Sequence, residues 1–297
     1  MRFVVAGAGG YVGGFLCQAL IEAGHDVIAI SRRGVAIERV ENIHLDLSRD
    51  EMIVPFTERI DVVINLVAQS NLGGADDYFS INRDIPARLA SRCNTYGVPR
   101  IVHVSTIGVH GVSTKGRGPF SEADEPNPQR GDTYAISKLA GERALIEACK
   151  GTSVEFTILR PSAVYGPRAS TFGKLIRLIK TGIPLPIAGI RNENSYLGIH
   201  NLIHAILVCS GSSKAANETF VLCDGNIVST VDVASQIAIS LGVPLRQFYL
   251  AESFMPIRAF KSSLALDNSK FVSLLNWKPP VSFNEGLREV VDGYSRN

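Results

Sequence analysis

Tyr134 and Lys138 stand four residues apart in Tyr134-Ala135-Ile136-Ser137-Lys138. On a helix that spacing puts a phenol and an ammonium on one face. A neighbouring ammonium favours the phenolate and draws a tyrosine pKa down from about 10, which suits Tyr134 to general acid or base work near neutral pH. Upstream, Val104-Ser105-Thr106 closes an apolar run. A hydroxyl from Thr106, with Ser105 beside it, would there bond a substrate oxygen that gains or loses a proton. A third constellation lies at the N-terminus, where Val4-Val5-Ala6-Gly7-Ala8-Gly9-Gly10-Tyr11-Val12-Gly13 carries glycines at 7, 10 and 13. Gly7 permits a tight turn, Gly10 lets a pyrophosphate approach the backbone, and Gly13 allows a helix to pack closely on the strand. The helix that opens at Tyr11 and Val12 offers its first N–H groups and positive dipole end to phosphates. After a first strand, this turn signals a dinucleotide site.

The end of the second strand selects the nucleotide. A carboxylate there would hold the NAD ribose hydroxyls, but the chain reads Ile30-Ser31-Arg32-Arg33. A hydroxyl and two permanently charged guanidinium groups suit a 2′-phosphate. The expected cofactor is NADP(H), with NAD(H) as the other possibility. His200 and His204 are four apart with no evident third ligand, so no metal site is expected. His110 could relay protons beside Thr106, although a lone histidine more often serves as a hydrogen-bonded side chain.

These groups need a frame that carries them to one place. Strands are expected at 2–6, 26–30, 42–45, 62–66, 101–105 and 155–159, with helices at 12–22, 78–96 and 133–149. Strands alternating with helices imply βαβ units and a Rossmann-like, doubly wound parallel α/β sheet, which binds ligands at the carboxyl ends of its strands. After Pro161 the rhythm breaks around Pro167, Pro184, Pro186 and Pro279-Pro280, with helices expected at 171–180, 201–210, 230–241 and 284–293. The expected division is a dinucleotide-binding domain at 1–166 and a smaller substrate-binding region at 167–297, interleaved with elements that return to the sheet. Trp277 is expected to anchor a core.

Composition excludes several classes. The chain has 297 residues, 30 Lys and Arg against 28 Asp and Glu, and 45% hydrophobic residues. Near-neutral charge argues against a nucleic-acid or anionic-membrane surface, and the apolar runs are of strand length. The sequence opens on a strand with no signal-peptide layout. Five scattered cysteines, Cys17, Cys93, Cys149, Cys209 and Cys223, suggest buried thiols in a reduced, cytoplasmic compartment.

Taken together, the glycine turn, Tyr134/Lys138, Asp46-Leu47, Asn65-Leu66-Val67-Ala68, Asn82 and the tract from Arg160-Pro161 to Gly166-Pro167 resemble the extended short-chain dehydrogenases/reductases of the NAD-dependent epimerase/dehydratase family. The resemblance spans nearly the whole chain. It implies that Asp46 and Leu47 border the adenine, and that Leu66, Val67, Ala68 and Asn82 belong to the cofactor site. It also implies that Lys138 holds the nicotinamide ribose and that Pro161, Ala163 and Val164 touch the nicotinamide. Thr106 falls on the family's catalytic Ser/Thr, with His110-Gly111 where a Tyr-Gly is usual. The family's dehydratases carry Asp-Glu after that threonine. Here Ile107 and Gly108 stand there and cannot supply an acid and a base.

The tracts Thr106 to Gly111, Gly182 to Pro186, Asn217 to Phe220, Asp224-Gly225 and Trp277 to Ser282 are similar to reductases of UDP-4-keto-6-deoxy-N-acetylglucosamine, which make polysaccharide precursors. That likeness implies a nucleotide-sugar substrate near Ser105, Thr106, Tyr134 and Ser195. Asn194 precedes Ser195-Tyr196 where many members have an arginine for the diphosphate, and an amide cannot neutralise it; Arg191, Arg258 or Lys261 would substitute. The resemblance also implies a homodimer through helices 78–96 and 133–149. The alternatives are a nucleotide-sugar 4-epimerase with retained NAD and, in another class, a non-catalytic nicotinamide-sensing regulator.

Overall fold

The computed structural model describes residues 1–49, 59–70, 75–250 and 262–295. In chain order its strands and α-helices are β1 (Arg2–Ala6), α1 (Tyr11–Glu22), β2 (Asp26–Ser31), β3 (Val40–His44), β4 (Val62–Asn65), α2 (Ala75–Phe79), α3 (Ile85–Tyr96), β5 (Arg100–Val104), α4 (Thr133–Cys149), β6 (Glu155–Pro161), β7 (Ala163–Tyr165), α5 (Gly173–Lys180), β8 (Asn194–Gly198), α6 (Ile199–Gly211), β9 (Glu218–Leu222), β10 (Ile227–Val228), α7 (Thr230–Leu241), α8 (Ser269–Leu275) and α9 (Phe283–Ser295). Among the described residues no helix is long and apolar enough to cross a membrane.

The chain divides into two compact units. The first comprises Met1–Gly111, Glu125–Arg160 and Ile203–Phe220; the second comprises Val112–Asp124, Pro161–Leu202 and Val221–Asn297. The division therefore falls six residues before the expected one, and 112–124 goes to the second unit.

The first unit is built on a seven-stranded sheet of order β3-β2-β1-β4-β5-β6-β9, and its pairings from β3 to β6 are parallel. Strands covered on both faces must be apolar throughout, and Phe3, Val4, Val5 and Ala6 are all buried. Ile85, Leu89, Cys93 and Leu145 from the helices cover one face, on Val4, Val63, Ile101 and Ile158. The strand order reverses beside β1, between β2 and β4. A crevice opens at such a switch point.

The expected helix at 78–96 is interrupted. A π-turn, Ser80–Asp84, joins α2 to α3. Pro86, in the first turn of α3, has no N–H to offer the carbonyl four residues back, which is that of Asn82. The widened turn carries this carbonyl against α4 at Gly141, where a Cβ would lie 2.0 Å from it. Gly141 is thus the residue that lets the two helices close.

The second unit has a three-stranded sheet, β10-β8-β7. Its core joins Tyr165, Phe172 and Ile176 to Ile237 of α7 and to Leu287 and Val290 of α9. A reciprocal Ser229/Asp232 cap opens α7 and Gly242 closes it at φ +67°, as its cap residues foretell. The short strands β7, β8 and β10 were not expected. Trp277 is buried and packs edge-on against Phe271 at 5.2 Å. All five cysteines are buried free thiols.

Candidate active site and nucleotide cleft

The catalytic candidates of the first unit converge where β5 ends. The β4–β5 register reaches Asn65 and His103 and stops. Val104 therefore extends beyond the paired end of β4, and the Lys138 Nζ donates to its carbonyl at 2.7 Å. Thr106 caps the following 3-10 turn, Ile107–His110, and its Oγ1 accepts the Gly108 N–H at 3.2 Å. Asp132 caps α4 by accepting the Ala135 N–H at 3.0 Å. Two residues on stands Tyr134, its hydroxyl close enough to that of Thr106 for Thr106 to act on its pKa. Thr106, Tyr134 and Lys138 are thus brought together by the strand end and by one turn of α4.

The electrostatics differ from the sequence expectation. Lys138 is fully buried, and desolvation pulls its ammonium down to about 8, against the opposing pull of Glu142. Tyr134 is pushed up: burial raises it first and the Asp132 carboxylate second, while the nearby Thr106 hydroxyl works the other way. The expected lowering of Tyr134 by Lys138 is therefore corrected. The ammonium is engaged by the Val104 carbonyl, and burial governs the phenol.

Around Lys138 lies polar bonding capacity from Asn65 and Ser105, both marked in the sequence, and from His103, which sequence reading did not single out. The Asn65 side chain accepts the Val67 N–H at 3.0 Å, so its NH₂ faces His103 Nδ1 at 3.1 Å. His103 must then accept there and carry its proton on Nε2. Burial, aided by the Lys138 charge, keeps it neutral by lowering it well below the usual imidazole range. Its Nε2 and the Ser105 Oγ are buried with no partner among the described residues.

The second feature of this unit is a cleft of about 400 Å³ at the switch point. Gly7, Gly10, Ser31, Arg32, Arg33, Asp46, Leu47, Leu66, Val67 and Ala68, all expected from sequence, line it, together with Gly9, Ser48, Gln69, Ile81 and Ile85, which were not singled out. Gly9 stood within the glycine turn; the others carry no local motif. Gly7 has φ +85°, and a Cβ there would lie 2.9 Å from the Leu66 carbonyl carbon and the Val67 nitrogen. Gly13 packs against the turn itself, since its Cβ would meet Ala8 O at 2.5 Å, whereas packing on the strand was expected. Tyr11 and Val12 stand in the first turn of α1, outside the lining, and Gly10 caps that helix without a side-chain bond. Arg32 and Arg33 are exposed at the rim, and Ser31 Oγ accepts the Gly34 N–H at 2.9 Å. Asp46 accepts from the Ser48 hydroxyl at 2.6 Å, the bond that mainly lowers its pKa.

Asn82, expected at the cofactor, does not line the cleft. It is buried and braces the floor from behind. Its amide bonds the Gln69 N–H and carbonyl at 2.8 and 3.0 Å and the Ser137 hydroxyl at 2.9 Å. Asn82 thereby ties a lining residue to the helix of Tyr134 and Lys138.

In the second unit, Pro161 and Ser162 are buried, Ala163 is exposed, Val164 is half-buried, and the Ser162 Oγ lacks a partner among the described residues. Ser195 is buried and its hydroxyl accepts the Leu266 N–H at 3.0 Å, while Asn194 accepts that of Leu264 at 3.1 Å. Both are held by their own unit. Arg191 is exposed; Arg258 and Lys261 lie outside the described residues. His200 pairs with Glu289 at 3.1 Å.

A polar cleft with a glycine turn too close for side chains, an open helix N-terminus and two rim arginines fits a nicotinamide dinucleotide. Comparison with known proteins agrees. The UDP-glucose 4-epimerase of Vibrio cholerae is 33% identical over 235 residues, 73% of this chain and 70% of that protein. A dTDP-4-dehydrorhamnose reductase of Mycobacterium tuberculosis is 31% identical over 188 residues, 61% and 56% of the two chains. The solved UDP-glucuronic acid 4-epimerase of Bacillus cereus, in complex with NAD, superposes with a TM-score of 0.82 at 25% identity, covering 100% of this chain and 99% of that one. The sequence model of the NAD dependent epimerase/dehydratase family matches residues 3–223, about three quarters of the chain, and the chain belongs to that family of extended short-chain dehydrogenase/reductase enzymes.

Proposed function

We propose that this enzyme uses NADPH to reduce the 4-keto group of a nucleotide-linked sugar, with UDP-4-keto-6-deoxy-N-acetylglucosamine as the substrate to test first. The observation that carries the reading is the rim of the cleft at the end of β2, where Ser31, Arg32 and Arg33 stand and no carboxylate follows the strand. Gly7, Gly9 and Gly10 would hold the pyrophosphate, and Arg32 and Arg33 the 2′-phosphate. The bound nucleotide supplies a hydride to the sugar carbon. Tyr134 donates its proton to the oxygen that becomes the hydroxyl, and its raised pKa keeps that proton in place until it is needed. Thr106 bonds the same oxygen and orients it. Lys138, a buried cation, favours negative charge developing there. Ile107 and Gly108 leave no acid–base pair beside Thr106 for eliminating water.

The likeness to the Vibrio cholerae enzyme supports a second reading, a UDP-sugar 4-epimerase that returns its hydride and retains NAD. Mixing enzyme, UDP-4-keto-6-deoxy-N-acetylglucosamine and either NADPH or NADH, and following nicotinamide absorbance, separates the two. Rapid loss with NADPH supports the reductase. Loss only with NADH keeps the reaction and removes the role of Arg32 and Arg33. No loss with either, and interconversion of UDP-hexoses without added nucleotide, establishes the epimerase. A homodimer through helices 78–96 and 133–149 remains part of the proposal, tested by sedimentation.

A further inference from the structure

Behind the catalytic helix lies a buried cluster that the reaction above leaves unused. Arg160, Glu142 and His110 are 8%, 2% and 3% exposed. The Arg160 Nε donates to both carboxylate oxygens of Glu142 at 3.1 and 3.2 Å, and its Nη2 to one of them at 2.6 Å. The Arg160 Nη1 stands 2.8 Å from His110 Nε2. A guanidinium only donates, so His110 Nε2 accepts. His110 ends the 3-10 turn that Thr106 opens, and the Gly111 N–H bonds the Gly108 carbonyl at 3.1 Å within it. Glu142 lies one helical turn beyond Lys138. The bonds run from the Thr106 turn through His110, Arg160 and Glu142 to α4, the helix of Tyr134, and at the other end of the turn a Cβ on Gly108 would lie 3.5 Å from the Ala135 Cβ of the same helix.

We propose that His110 is a positioning residue for the reaction, which as acceptor for Arg160 fixes the far end of the Thr106 turn to α4 and so sets the Thr106 hydroxyl against Tyr134. The proposal rests on the reading of Thr106 and Tyr134 as the pair that handles the substrate oxygen. The imidazole acts here as an acceptor of a given reach at Nε2, keeps its one proton on Nδ1 and transfers none.

His110→Leu removes the acceptor, and His110→Gln keeps one. In the Leu variant kcat should fall by about 10- to 100-fold, the size of effect small misplacements produce, with the KM for nicotinamide nucleotide unchanged. His110→Gln should recover most of the loss. Turnover is measured on whichever reaction the wild type performs, reduction or interconversion. Amide hydrogen exchange at Gly108 and Gly111 is read in parallel and needs no substrate, so failure of the functional reading does not obscure this test. Exchange should accelerate in the Leu variant and return in the Gln variant. If His110→Leu does not fold, His110→Asn, whose amide reaches less far, replaces it. Equal impairment of both variants would make the imidazole itself essential and overturn the proposal. So would unchanged exchange in the Leu variant, or faster exchange with undiminished kcat.

Discussion

The two units use polar side chains in opposite ways. In the second, Asp224 accepts from the Tyr165 hydroxyl at 2.8 Å, the Gly198 N–H at 3.0 Å and the Asn201 amide at 2.7 Å, while Asn192 holds the Thr230 N–H and hydroxyl and the Ser262 carbonyl. Asn194 and Ser195 hold the 264–266 segment. These groups are saturated by their own surroundings. In the first unit, His103 Nε2 and Ser105 Oγ are buried without partners among the described residues, Lys138 carries a buried charge, and Arg32 and Arg33 stand open at the cleft. An unsatisfied buried polar group costs about 1–3 kcal/mol, and such groups gather where a ligand completes them. The exception in the second unit, the Ser162 Oγ, lies in the segment that the family resemblance assigns to the nicotinamide. Saturated groups build the scaffold; unsaturated ones mark the site.

The sharpest contrast comes from Lys138. Lys138→Met should lower turnover by about 10²–10⁴-fold yet stabilise the protein. The ammonium titrates near 8 when folded against 10.5 for a free lysine. Between those values the unfolded chain holds a proton that the folded one lacks, so stability rises with pH across that window and the cost is full below it. The variant should therefore gain about 3 kcal/mol at pH 7 and little at pH 10.5, as read by denaturant unfolding.

A smaller effect is expected at the cleft rim. Replacing Arg32 and Arg33 together by alanine should raise the KM for NADPH by about 10- to 100-fold, the value of one or two charge-assisted hydrogen bonds, and leave that for NADH unchanged. Equal changes for both nucleotides would remove the 2′-phosphate from the reading. The smallest effect belongs to the saturated unit. Ser195→Ala should cost about 1–2 kcal/mol through the Leu266 N–H it leaves unpaired, with kcat/KM unaltered. A collapse of turnover without loss of stability would show that Ser195 serves the substrate.

Much of the first unit was legible because its chemistry follows chain order. The glycine turn, Ser31-Arg32-Arg33 and Tyr134/Lys138 each sit at a fixed offset from a strand or helix end, and α4 and α7 take their expected bounds because Asp132, Ser229 and Gly242 cap them. The bracing residues were illegible for a physical reason. Asn82, His103, Glu142 and Arg160 act across elements, and no local pattern records that Arg160 will meet Glu142 and His110. Pro86 lies within the expected 78–96 helix and its break was not read there; the π-turn that answers it depends on Gly141 in another helix. The strands of the second unit were missed since Asn194-Ser195-Tyr196-Leu197-Gly198 alternates in neither the strand nor the helix period.

The most direct test of Tyr134 as the proton donor compares wild type with Tyr134→Phe in two assays on the same preparation: NADPH binding by fluorescence, and NADPH consumption with UDP-4-keto-6-deoxy-N-acetylglucosamine. The expected result is unchanged binding with turnover lowered by about 10³-fold or more. Undiminished turnover in the variant would contradict the account.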